Sequence, residues 1–515
     1  MNRATPLDDD ARYRALCSHD ARFDGRFFVG VTSTGIYCRP VCRVRTPRRE
    51  NCRFFNHAAQ AEQAGFRPCL RCRPELAPLD RHWSAEDAGA ILACQAMRLL
   101  DDPQSWSTAW ADGTAIRRLS ERLGVSDRHL RRIFEAHIGV SPQRYVQTRK
   151  LLSAKQLLAD TRLPVSQVAQ ASGFASLRRF NGAIQARYGL SPTQMRRSQS
   201  APSGREAEHA GATVHLSWRP PYDAVAMLTF LAQRQLPGVE WVQPEALRLH
   251  RTVRLVVGGE THSGWLVAQF EPAAHRLALR VSDSLHTVLP SLLWRVRALL
   301  DLDADPQAIN AVLHPHFPTG DGLRVPGGLD GFELAVRAVL GQQVTVAAAR
   351  TLAQRLVERW GEPLVTPFAS LHRLFPSAHT LASADPQALG ELGIVRQRQA
   401  AIQALARAVT DGSLDLGGQA DLSSTLQTLQ ALPGIGPWTA QYIALRALRW
   451  PDAWPTGDVA LHQALGLNHR LGAATQRQAK RLASAWQPWR SYAVLRAWAG
   501  TYQAPATTDP PKDSL

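Results

Sequence analysis

The sequence predicts a multidomain, mainly α-helical chain. It comprises a small cysteine-rich α+β module, a double helix-turn-helix module, an α+β domain and an all-α domain. Three observations predict this. The 515 residues exceed what one hydrophobic core holds, since a domain takes roughly 100–200. Four cysteines pair at short spacing within the first 80 residues, and one helix-turn-helix pattern occurs twice between 84 and 197. From 213, strand alternation gives way near 320 to a helical pattern that runs to 505.

Composition narrows the function. Hydrophobic residues make up 45% of the chain, enough for several cores, which excludes a disordered or fibrous protein. No run approaches the ~18 apolar residues of a membrane helix. The start, MNRATPLDDDARYR, lacks the apolar stretch of a secretion signal. The expectation is a cytoplasmic protein with no membrane partner. The formal charge is +17, and residues 1–200 hold 32 Lys and Arg against 18 Asp and Glu. A basic half points to a polyanionic partner. The chain has only four Lys. Arg suits phosphate through its planar fork, although genomic base composition raises Arg equally well.

Seven cysteines without a secretion signal argue for a metal site or reactive thiol rather than disulfides. Cys38-x3-Cys42 and Cys69-x2-Cys72 are two close pairs separated by 26 residues, the pattern of a tetrahedral zinc–sulfur site. Cys17, Cys52 and Cys94 read as buried thiols. On spacing alone the cluster is a structural zinc ribbon. Its context, TSTGIYCRPVC (32–42) and NCRFFNHAAQAEQAGFRPCLRCRP (51–74), resembles the N-terminal domain of Ada-type methylphosphotriester repair proteins over about 8–80. That resemblance implies one Zn²⁺ held by Cys38, Cys42, Cys69 and Cys72, with Cys38 accepting a methyl group from a damaged DNA phosphate. Metal binding keeps a thiolate deprotonated. Methylation removes one negative charge and so tightens binding to the DNA backbone.

AIRRLSERLGVSDRHLRRIFEAHIGVSP (115–142) and PVSQVAQASGFASLRRFNGAIQARYGLSP (164–192) share one punctuation. Each has an apolar helix, a glycine turn at Gly124 or Gly173, an Arg-bearing helix and a closing G-[VL]-S-P. Ser126 and Ser176 stand at the start of each second helix. Such a helix enters the major groove. The pair, joined by a long helix over about 143–160, resembles the AraC-type DNA-binding domain. Candidate groove residues are Ser126, Arg128, His129, Arg131 and Arg132, then Ser176, Arg178, Arg179 and Asn181. An activator of this type admits RNA polymerase as a partner. SQSAPSGREAEHAGA (198–212) is small and polar and reads as a linker.

Past the linker, TVHLSWRPPYDAVAMLTFLAQRQL reads as strand, turn and helix, and RLVVGGETHSGWLVAQF and HRLALRVSD as strands. In LPGIGPWTAQYIALRAL (432–448), Gly434 and Gly436 turn the backbone tightly before a helix whose free amides suit a phosphate. A bound monovalent cation is admitted there. Alone this hairpin signals sequence-independent DNA binding. WPTGDVALHQAL (454–465) follows, with Asp458 entering the next helix.

Together with RPPYD, GQQV and WQPWRSYAVLRAW, these motifs resemble AlkA-type 3-methyladenine DNA glycosylase II from 213 to 502, with its TATA-binding-like α+β domain (213–320) and helix-hairpin-helix domain (321–505). The resemblance implies that Asp458 is the catalytic carboxylate and that Trp438, Tyr442 and Trp498 line a pocket for a flipped, alkylated base. Two departures stand out. Gln343 occupies the position of a Leu wedge, and Val459 that of an aromatic. Trp438 stands where strand-cutting glycosylases place a Lys, which implies a monofunctional enzyme leaving an abasic site. No Pro-Cys-His-Arg motif for guanine-O-methyl transfer is present. The reading is therefore a fused alkylation sensor and repair enzyme acting on alkylated and promoter DNA, with residues 506–515 as a tail. The alternative is a regulator whose C-terminal half only binds DNA.

Overall fold

The computed structural model describes residues 7–79, 88–106, 114–198, 211–417, 420–467 and 473–502. Nearly all of the expected linker and the whole 506–515 tail lie outside them.

The cysteine module is built on a four-stranded sheet ordered Cys52–Phe55, Phe28–Val31, Ile36–Cys38 and Arg67–Pro68. Register explains its purpose. Ile36 and Tyr37 pair in parallel with Arg67 and Pro68, and Cys69 N–H donates to the Tyr37 carbonyl at 3.0 Å. Residues 38 and 69 thus leave the sheet side by side. Of the remaining thiols, Cys52 is buried as expected, whereas Cys17 is exposed and Cys94 only half-buried. Cys17 ends the helix Asp9–Cys17 on its solvent side; Ala15 and Leu16 are the residues that helix buries.

Both helix-turn-helix units form with the expected punctuation. Ser126 caps Asp127–Ile138 and Ser176 caps Leu177–Tyr188, each hydroxyl accepting a backbone N–H at 3.3 Å. Gly139 and Gly189 end these helices at φ +78° and +68°, a left-handed conformation that glycine takes without penalty. Pro142–Asp160 joins the units and is buried along most of its length.

That burial reaches charged side chains. Lys155, fully buried, donates to Glu75 Oε2 at 2.5 Å. Arg73 holds Asp160 at 2.6 and 2.8 Å. Glu62 accepts from Tyr37 and Thr148 at 3.1 and 2.8 Å. A buried charge is tolerated only with a partner. The Lys155–Glu75, Arg73–Asp160 and Thr148–Glu62 contacts cross between the cysteine module and the long helix, so the two are fastened together.

Residues 212–281 form a five-stranded antiparallel sheet ordered Ala212–Ser217, Arg276–Val281, Glu260–Glu271, Arg248–Val257 and Glu240–Gln243. Gly258 and Gly259, both at positive φ, make the tight hairpin. The edge strand Glu240–Gln243 is too short for alternation to single it out. The sheet buries Val214, Leu216, Leu277, Leu279, Leu266 and Ala268 against helices Ala224–Ala232 and Leu289–Leu299. The same continuous core takes in Leu151 and Leu158 of the long helix and Phe180 and Ile184 of the second helix-turn-helix unit. The sequence reads as two machines on a tether; their apolar surfaces form one core.

The remaining described residues are mainly helical, and the expected helical run is broken at 361–377. Pro363, Pro367 and Pro376 exclude helix there. The Gly238–Leu371 bridge ties this segment to the α+β domain.

Lys155→Met leaves Glu75 buried with one cation fewer and is expected to cost about 3–5 kcal/mol in urea unfolding. Burial pushes the Glu75 carboxyl up, but Lys155 and Arg73 outweigh it and hold it below the ordinary range. The pair's contribution is therefore expected in full above the usual Glu pKa and to fade as pH falls through the lowered folded value.

Candidate active site and metal centre

The hairpin lies between helices Leu422–Ala431 and Pro437–Arg446. Gly434 turns at φ +77°, and a Cβ there would meet Ala401 Cβ at 3.0 Å, so conformation and space both demand glycine. Gly436 caps the second helix and faces open solvent, as a phosphate-binding turn requires. One turn along that helix, the Trp438 and Tyr442 rings stack at 5.3 Å, and Trp498 stands 6.2 Å from Tyr442.

Asp458 follows Gly457, which is at φ +84°, and caps the helix Val459–Ala464. Its Oδ1 accepts the Leu461 N–H at 2.7 Å and the Trp498 Nε1–H at 3.1 Å; its Oδ2 accepts the Trp438 Nε1–H at 2.9 Å. Three N–H donors thus converge on a carboxylate with 8% exposure. One side chain caps the helix and meets both indole N–H groups.

These residues line a cavity of ≈ 840 Å³ at the junction of the α+β and helical domains, within the range of small-ligand sites. The structure adds three residues that sequence reasoning missed. Phe230 joins the aromatic wall from helix Ala224–Ala232, with the Arg234 guanidinium 3.6 Å and the Arg446 guanidinium 4.9 Å from its ring centre. Arg446 donates to the Tyr442 hydroxyl at 2.9 Å and to the Pro326 carbonyl at 2.8 Å. Burial pushes the Tyr442 hydroxyl up, but Arg446 and Arg234 outweigh it and draw it below its usual value. The i, i+4 spacing of Phe230 and Arg234 was the available signal. It is indistinguishable from an ordinary amphipathic helix.

Gln343 sits at the rim with φ +54°, a conformation that costs a non-glycine residue free energy and clusters at functional sites. Gln342, also missed, anchors this loop by donating to the Gly434 carbonyl at 2.8 Å and Thr439 Oγ1 at 2.9 Å. Val344 and Val346 are exposed beside it, and Val459 is exposed at the cavity's other edge.

In the cysteine module, the Sγ atoms of Cys38, Cys42, Cys69 and Cys72 lie within 4.8 Å of one another. Hydrogen bonds from the other three thiols hold Cys69 below the ordinary thiol range, while hydrogen bonding with Cys42 and Cys69 pushes Cys38 up. Four converging, largely buried sulfurs suit one soft divalent ion. Arg128, His129, Arg131 and Arg132 are exposed on one capped helix, and Arg178, Arg179 and Asn181 on the other. These surfaces are separate from the cavity, which none of them lines.

Four family models match the chain: the metal-binding domain of Ada over 11–75, a helix-turn-helix domain over 119–198, the AlkA N-terminal domain over 213–330, and the HhH-GPD superfamily base excision DNA repair protein over 336–490. A probable bifunctional transcriptional activator/DNA repair enzyme AlkA of Mycobacterium tuberculosis is 38% identical over 518 residues, 99% of each chain. The chain belongs to the bifunctional transcriptional activator/DNA repair enzyme family. Its two halves have separate relatives. DNA-3-methyladenine glycosylase 2 of Escherichia coli is 39% identical over 55% of this chain and 95% of its own. The bifunctional transcriptional activator/DNA repair enzyme Ada of Escherichia coli is 35% identical over 31% of this chain and 41% of its own.

The Ada-type module at residues 11–75 is a zinc-binding domain. Purified full-length protein is expected to carry one zinc per chain by elemental analysis, and Cys69→Ser to lose most of it because three thiolates bind zinc far less tightly.

Proposed function

We propose that the C-terminal half excises alkylated bases, 3-methyladenine and its relatives, from duplex DNA by N-glycosidic hydrolysis. The Asp458 carboxylate, held between two indole N–H groups at the wall of an aromatic cavity, carries this reading. An alkylated purine is already cationic and departs with the bonding electron pair. The flipped base stacks against the Trp438, Tyr442 and Trp498 faces. Asp458 then stabilises the positive charge left on the sugar and orients the water that adds to it. Gln343 fills the gap in the duplex. Gly434 and Gly436 present backbone amides to a phosphate, with a monovalent cation sharing its charge. Among the described residues, no lysine lines the cavity, which supports a monofunctional enzyme that leaves an abasic site.

In the N-terminal half, the Cys38 sulfur attacks the methyl carbon of a phosphotriester. The S–C bond forms, the C–O bond breaks, and a phosphodiester anion leaves. Bound zinc supplies the positive charge that keeps this sulfur a thiolate. A small apolar cavity bounded by Leu16, Val29, Val31 and Val44 adjoins Cys38 and suits a methyl group. Arg128, Arg131, Arg132, Arg178 and Arg179 bind promoter DNA, and RNA polymerase is the partner that activation requires.

Base release from methylated duplex tests the central step. Asp458→Asn is expected to lower kcat by about a hundredfold or more. Trp438→Phe keeps the ring but loses the donor, and should lower kcat by about tenfold or more with KM little changed. If wild type releases no base yet binds DNA, the C-terminal half is a binding module.

A further inference from the structure

An unbroken run of polar contacts, buried from Arg39 onward, joins the cysteine cluster to the cavity in the other half. It starts at Arg39, whose backbone N–H donates to Cys72 Sγ at 3.3 Å and whose Nη1 donates to the Cys72 carbonyl at 3.0 Å. The same guanidinium donates through Nε to Asp24 Oδ1 at 2.8 Å and through Nη2 to Ser217 Oγ at 3.0 Å. Ser217 ends the first strand of the α+β domain.

The Asp24 carbonyl in turn accepts from Arg219 Nε at 2.9 Å. Arg219 reaches the Leu79 carbonyl at 3.0 Å and the Asp303 carbonyl at 2.9 Å. Its own carbonyl accepts from Arg324 Nη2 at 2.8 Å, and Arg324 lines the cavity. None of Arg39, Asp24, Arg219 and Arg324 is more than 6% exposed. Two contacts run alongside: Leu79 N–H donates to Asp303 Oδ1 at 2.9 Å, and Arg297 donates to the Leu76 carbonyl at 3.2 Å.

We propose that the state of the cysteine cluster is coupled to the excision cavity through Arg39, Asp24, Arg219 and Arg324, with Arg219 as the positioning residue that carries the coupling. The physical reason is the intolerance of buried polar groups to losing partners. A loop at Cys72 that shifts takes Arg39 with it. Arg39 cannot release Asp24 without stranding a buried carboxylate, and Asp24 cannot move without disturbing Arg219. Because the links from Arg39 onward are enclosed in protein, water cannot replace a lost partner there and the displacement passes on. Damage sensing at one site thereby biases base excision at the other. Linkage makes the effect reciprocal, so occupancy of the cavity stabilises the cluster loops.

The coupling is a property of the fold, and only its consequence for excision rests on the glycosylase reading. Hydrogen–deuterium exchange on the full chain therefore tests it without activity. Cys72→Ser is expected to speed exchange in 213–222 and 301–327 by about tenfold, as a local loss of protection does, and to change kcat/KM for base release. With Arg219→Gln in place, Cys72→Ser is expected to produce no further change in 301–327. Ser217→Ala, a milder cut, should shrink the response while leaving the thermal melt intact. Exchange in 213–222 and 301–327 that ignores Cys72→Ser overturns the proposal, as do effects of Cys72→Ser and Arg219→Gln that simply add. Exchange that responds in a chain releasing no base upholds the coupling and removes the excision reading alone.

Discussion

Arg219 has no exposed surface, yet a guanidinium always carries its charge and its N–H groups. Taken out of water, each donor needs an acceptor, and here the acceptors are backbone carbonyls from Asp24, Leu79, Asp303 and Ala304. Two of these belong to the cysteine module and two to the α+β domain. One side chain therefore forces segments nearly 300 residues apart in the sequence into a single arrangement. The ion pairs of Lys155 with Glu75 and of Arg73 with Asp160 apply the same rule between the cysteine module and the long helix. Burial of charge is an expensive way to stabilise a fold, but a demanding way to specify one.

The rule also governs the cavity. The Asp458 carboxylate is buried, and Trp438, Trp498 and the Leu461 amide direct N–H groups at it. The two indoles have a double use. Their faces line the cavity, and their edges hold the carboxylate beside it. On the proposed function, chemistry and recognition are set by the same two side chains. Arg446 plays the equivalent part for Tyr442 from behind.

Much of this was legible in the sequence, and the pattern of success is physical. The cysteine spacing, the serine caps, Gly434 and Asp458 are local signals, because each depends on neighbours a few residues away. The pairing that brings Cys38 beside Cys69 is non-local and became visible only through the register of Ile36–Cys38 with Arg67–Pro68. Phe230 and Arg446 were illegible because a residue on a buried helix face carries the same periodic signature whether it lines a cavity or fills a core. The union of the two halves was hidden for a further reason. The polar stretch 198–212 reads as a tether, and nothing in its composition reveals that Phe180 and Ile184 share a core with Val214 and Leu279.

On the proposed function, one chain carries two repair chemistries, one at Cys38 and one at Asp458. Incubating the full-length protein with methylated duplex DNA, then analysing the same reaction for protein and for freed base by mass spectrometry, tests it most directly. The expected result is a single S-methyl group on the Cys38 peptide together with released 3-methyladenine. A methyl group on another cysteine, an unmodified Cys38, or the absence of free base would contradict it.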